Sequence, residues 1–102
     1  MRVVFRPEAQ EELLEAKAWY EARADGLGMD FARAFESALL NALRRPEAHP
    51  VVQDELRRVL LRRFPYALFY RARGDEFLVV AVFHHRRDPA LMSGRQKARP
   101  DP

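Results

Sequence analysis

The sequence predicts an α+β domain with the element order β-α-α-β-β-β, a helical hairpin packed on one face of a small antiparallel sheet. Three observations carry that expectation. Apolar residues recur at helical spacing over two stretches in the first half of the chain. A glycine-containing break separates those stretches. The second half then switches to strand-like runs rich in Val, Phe and Tyr. Neither a striped helix pair nor a small sheet can bury its apolar face alone, so each needs the other as cover.

Each element follows in order. Val3-Val4-Phe5 is a short apolar run, read as a strand at an edge of the later meander. Pro7 opens a helix, because its missing N–H costs nothing in the first turn and its φ is already helical. Glu8, Glu11 and Glu12 suit the positive end of the helix dipole. Ala9, Leu13, Ala16, Tyr20 and Ala24 share one helical face. Asp25-Gly26-Leu27-Gly28 is the break. A second helix is expected from about Met29 to Arg45, with Phe31, Phe35, Ala38, Leu39, Ala42 and Leu43 as its stripe. The small Ala16, Ala38 and Ala42 permit close approach, and the short connection makes the pair antiparallel.

Pro46 ends the second helix, and residues 46–55 read as a loop. Arg57–Phe64 and Tyr66–Arg73 are strand-like, parted by Pro65, and Gly74-Asp75 is a turn signal. Glu76–His84 is the most apolar segment and reads as a central strand buried on both faces. Beyond His85 a loop or one helical turn is expected. One domain spans residues 1–95, with 96–102 as a disordered tail.

Composition narrows the function classes. With 48% hydrophobic and 32% charged residues, the chain has the balance of a folded domain and not of a disordered one. The absence of cysteine excludes disulfides, thiol catalysis and cysteine-ligated zinc. The longest apolar run, Phe77–Phe83, is too short to cross a bilayer. Met1–Arg6 meets a charge too early for a secretory leader. A cytoplasmic location and no membrane partner are expected. The net charge of +3 hides a division: residues 1–55 carry 7 basic and 11 acidic side chains, and residues 56–102 carry 11 and 4, giving −4 and +7. The basic half points to an anionic partner.

Phosphate-loop, dinucleotide and serine-nucleophile motifs are absent, and no cofactor is implied. His84 and His85 are adjacent on a strand, so alternation should turn them to opposite faces, and no metal site is expected. Alternation also places Val59 and Leu61 on the covered face, and Arg58 and Arg62 on the open one. Arg71 and Arg73 share a face with Phe69 and should join them. Together with Arg86 and Arg87 these arginines form a candidate binding surface, and Trp19 is a candidate contact on the flank of its helix. The densest polar cluster is His84-His85-Arg86-Arg87-Asp88-Pro89. Three readings of it stand open: Asp88 bracing the corner by pairing with Arg86 or Arg87, a ribonuclease site using His84, His85, Arg86 and Arg87, or a recognition site for an acidic chain or phosphate.

Several of these segments also occur together in a known family. They are Trp19-Tyr20-Glu21, Gly26-Leu27-Gly28, Pro46-Glu47-Ala48 with Pro50-Val51, Arg62-Arg63-Phe64-Pro65-Tyr66 with Tyr70, and His84-x-Arg86-Arg87-Asp88-Pro89. In that order and spacing, from about Val4 to Arg95, the chain resembles the RelE/ParE superfamily of type II toxin–antitoxin toxins. The likeness is to the ParE-like, plasmid-stabilisation branch in particular. The resemblance implies a toxin held inactive by a cognate antitoxin. ParE-like members are DNA gyrase poisons, and RelE-like members cleave mRNA on the ribosome. A degenerate toxin that only binds its antitoxin is a third reading. His84, Asp88, Pro89 and Tyr66 are then expected to order the corner.

Overall fold

The computed structural model of the chain describes residues 1–87, 89–92 and 95. Asp88 and the tail 96–102 therefore lie outside the described residues. The described elements are β1 (Arg2–Phe5), α1 (Pro7–Glu21), α2 (Leu27–Arg44), β2 (Val51–Gln53), β3 (Leu56–Leu60), β4 (Tyr66–Arg73) and β5 (Glu76–His84), followed by a 3-10 turn at Pro89–Met92.

The two helices pack against a five-stranded sheet of order β1-β5-β4-β3-β2. The class is the expected α+β. The sheet is mixed and not purely antiparallel, because β1 pairs with β5 in parallel, Val3 opposite Phe77 and Phe5 opposite Val79. The segment expected as a loop also supplies a strand, β2, paired with β3 at Val51 and Arg57. Its shortness, and Pro50 just before it, hid it from the strand pattern.

Pro7 sits at the start of α1 as expected. The hairpin turn is built by one carboxylate. Gly26 takes φ +87°, which an ordinary side chain resists, and serves as N-cap of α2 without a side chain of its own. Glu21 supplies the missing acceptor: its Oε1 receives the Gly28 N–H at 2.9 Å, and its Oε2 receives the Gly26 N–H at 3.1 Å. A Cβ on Gly28 would stand 2.7 Å from the Lys17 carbonyl oxygen, so the helices meet there at a distance only glycine allows. Ala16, Ala38 and Ala42 are buried along the same seam.

Tyr20 stands at the junction of both helices and the sheet. Its ring centroid lies 5.3 Å from Phe31, 4.8 Å from Phe64 and 6.0 Å from Tyr66. Burial, and Tyr66 after it, push the Tyr20 hydroxyl above the ordinary tyrosine range. Phe77, Val79, Val82, Leu68 and Tyr70 complete the apolar layer under the helices. Tyr70 stacks on Phe77 at 4.4 Å and donates its hydroxyl to the Pro46 carbonyl at 2.6 Å, which fixes the loop after α2.

The far face of the sheet is also buried. A second apolar cluster holds Leu56, Ala67, Phe69, Leu78, Val80, Ala81 and Phe83. A bulge, with Phe69 opposite Ala81 and Tyr70 opposite Val79, turns both Val80 and Ala81 to this side. The Pro89–Met92 turn lies against β2. Glu76–His84 is thus buried on both faces, as its composition predicts.

The hydrogen bonds from Gly26 and Gly28 hold the Glu21 carboxyl below its ordinary value of 4.5. A lowered folded-state pKa contributes stability above pH 4.5 that disappears as pH falls through the folded value. Urea midpoints of the wild type and Glu21→Gln should therefore differ at about pH 6 and converge towards about pH 3. A gap of constant size across that range contradicts the capping role.

Candidate functional site

The sequence groups six arginines into one binding surface, Arg58, Arg62, Arg71 and Arg73 of them on an open sheet face, and the structure separates them. Phe69, Arg71 and Arg73 do share a face, but that face is closed as far as Arg71 and opens only at Arg73. Phe69 is fully buried, and Arg71 is 7% exposed with its guanidinium 3.6 Å from Glu76. Glu76 also receives Arg2 at 3.3 Å. Arg73 is paired with Glu55, which lowers the Glu55 carboxyl and raises the Arg73 guanidinium. Arg58 is half-buried on β3 and donates its backbone N–H to Pro50. The open face is thus a corrected expectation. The charge count by halves overlooked that Glu55 and Glu76 sit at the strand ends, beside the arginines they neutralise.

Arg62 lies past the end of β3, in a groove of about 390 Å³ between that end and α2. Arg33, Ser37, Asn41 and the exposed Leu60 line it. Arg63 takes φ +70°, a conformation costing an ordinary residue about 1–2 kcal/mol. Its guanidinium is held 3.8 Å from Asp30 and 5.7 Å from the Phe64 ring.

Arg86 and Arg87 are exposed at the corner where β5 ends. Here several sequence-predicted residues meet. Trp19, Tyr66, His84 and Arg87 line one groove of about 310 Å³ between α1 and the end of β5. Trp19 is half-exposed, with one ring face covered by Arg23 at 3.5 Å and its edge against Tyr20 at 5.0 Å. The Arg87 guanidinium lies 4.2 Å over Phe83. Tyr66 is opposite His84 in the ladder, their rings 6.0 Å apart.

The two histidines do not face opposite ways. Their rings stack at 5.0 Å and 25°. Strand alternation stops at His84, because His85 already bonds its N–H to the Pro65 carbonyl in a turn. His84 Nδ1 accepts the Arg86 N–H at 3.3 Å, and His84 O accepts the Arg87 N–H at 3.0 Å. The corner is therefore ordered by His84, Tyr66 and backbone bonds. Among the described residues no group of three or more His, Asp or Glu is placed to hold a metal.

Sequence reading missed Glu12 and Arg95. Their side chains pair at 2.9 Å at the outer edge of β5, with Glu12 also accepting the Val82 N–H at 3.0 Å. The acidic run in α1 was visible, but nothing in the sequence marked Glu12 apart from its neighbours.

The family model described as the ParE toxin of the type II toxin–antitoxin system parDE matches residues 3–89. This chain belongs to the ParE toxin family. A solved structure of the chromosomal ParDE TA system from P. aeruginosa shares the fold at a TM-score of 0.60 and 16% identity, over 82% of this chain and 95% of that one. No curated protein matches. In this ParE-family chain several of the segments behind the resemblance build the fold. Glu21, Gly26 and Gly28 make the hairpin turn, Tyr20, Phe64 and Tyr66 make the aromatic junction, and Pro46 with Tyr70 anchors the loop.

Arg71→Ala should cost on the order of 2 kcal/mol in denaturant unfolding, because it strands part of Glu76 in a closed face. Arg87→Ala, at an exposed corner, should stay within about 0.5 kcal/mol. Equal costs for the two would contradict the separation of structural from surface arginines.

Proposed function

We propose that this chain is the toxin of a type II toxin–antitoxin pair, that it inhibits DNA gyrase and so replication, and that a cognate antitoxin neutralises it by direct binding in the cytoplasm. The match to the ParE toxin family over residues 3–89 carries this reading. Among the described residues no helix is long and apolar enough to cross a membrane.

The exposed side chains support binding more than cleavage. Gyrase contact is assigned to the corner, with Trp19, Arg86 and Arg87 as contacts and Tyr66 beneath them. Half-exposed Trp and Arg are the residue types that dominate protein–protein contact energies. The antitoxin is assigned to the groove between α2 and β3. Arg33, Arg62 and Arg63 there, with exposed Leu60, suit an acidic segment carrying an apolar anchor. His84 weighs against the mRNA nuclease reading. With Nδ1 accepting a backbone N–H, the neutral ring carries its proton on Nε2, so the outward nitrogen donates instead of abstracting a proton.

In a supercoiling assay the purified chain should inhibit gyrase. Trp19→Ala and Arg87→Ala should each weaken inhibition by about tenfold or more. Normal supercoiling at large toxin excess, with new 5′ ends on translated mRNA, would replace this reading with the nuclease one.

Arg33→Glu combined with Arg62→Glu should weaken binding of the antitoxin encoded beside the chain by about tenfold at low salt, and the loss should shrink as ionic strength rises. Unchanged affinity would move the antitoxin off this groove.

A further inference from the structure

β1 and β5 run together only as far as Phe5 and Val79. One further bond, from the Arg6 N–H to the Val79 carbonyl at 2.9 Å, ends the ladder, because the chain turns into α1 at Pro7. β5 continues to His84, and among the described residues no strand covers its outer edge there. In a parallel ladder, the residue opposite Ala81 would donate its N–H to the Val80 carbonyl and accept the Val82 N–H. Two side chains perform those tasks. Arg95 Nη1 donates to the Val80 carbonyl at 3.3 Å, and Glu12 Oε1 accepts from Val82 at 3.0 Å. The two are joined to each other by bonds of 3.0 and 2.9 Å. Both side chains are less than one-fifth exposed, and Arg95 also lies 5.2 Å over Phe83.

We propose that the Glu12–Arg95 pair is a strand surrogate: it continues the ladder that β1 abandons and keeps the outer edge of β5 closed to a second copy of this chain. The edge needs such a guard. Phe77–Phe83 is the chain's longest uncharged apolar run, the composition that pairs edge to edge when exposed. Val80 turns its carbonyl and Val82 its N–H to this edge, and Glu12 and Arg95 occupy the places that an incoming strand's backbone would take. Charged side chains at an edge are expensive to strip of water.

The test is sedimentation velocity on Arg95→Ala, with hydrogen exchange at the Val82 amide. The wild type should stay monomeric with Val82 protected at every concentration. Arg95→Ala should dimerise at least about tenfold more tightly, with Val82 protection that rises with protein concentration. Glu12→Ala should behave alike, and exchanging the two charges as Glu12→Arg with Arg95→Glu should restore the monomer. Arg95 belongs to neither apolar cluster, so its loss leaves the core intact, and circular dichroism reports the fold. A folded Arg95→Ala that remains monomeric, or a dimer in which Val82 exchanges freely, overturns the proposal.

Discussion

One carboxylate sets the geometry on which the rest of this chain depends. Glu21 closes the hairpin turn by accepting N–H groups from both Gly26 and Gly28, at the point where Gly28 passes closer to α1 than any side chain permits. That contact fixes the two helices against each other. The helices in turn press Tyr20 against Phe31 and Phe64, and this aromatic junction seats Tyr66 beside His84. The exposed corner is therefore the last link of a chain that starts in the hairpin turn. A change at Glu21 would reach the corner through packing, without touching any surface residue.

This dependence separates two kinds of residue that sequence alone presents together. The segments that carry the family likeness are largely those that build the turn, the aromatic junction and the anchored loop. The surface residues answer to a different demand. Trp19, Arg86 and Arg87 are exposed at the corner, and Arg62 lines a groove beside α2. Trp19 is half-exposed, its contacts with Arg23 and Tyr20 covering only part of the ring. Arg71 and Arg73 look equally basic in sequence, yet their charge is spent on Glu76 and Glu55.

Much of the fold was legible. Helical spacing located both helices, and the Val and Phe run located the central strand, because burial on one face or both imposes those periods directly. The parallel pairing of β1 was not legible, since it depends on which edge the crossover reaches. Nor was β2, too short for a pattern. The site was half legible. Alternation rightly placed Val59, Leu61 and the Phe69–Arg73 face, but it carried no information on what covers that face. The far-side cluster around Phe69 and Val80 closed it. Alternation also failed at His85, where the strand had already become a turn. Ion pairs between distant segments, Glu12 with Arg95 above all, leave no local signal to read.

The central claim is that the corner made by Trp19, His84 and Arg87 engages the target, while the sheet arginines serve the fold. Hydrogen-exchange mapping of the chain with and without gyrase tests it most directly. The account predicts new protection confined to the Trp19 end of α1 and to residues 84–87, with the backbone around Arg58 and Arg71 unchanged. Protection centred on Arg58 and Arg71, or none at saturating gyrase, would contradict it.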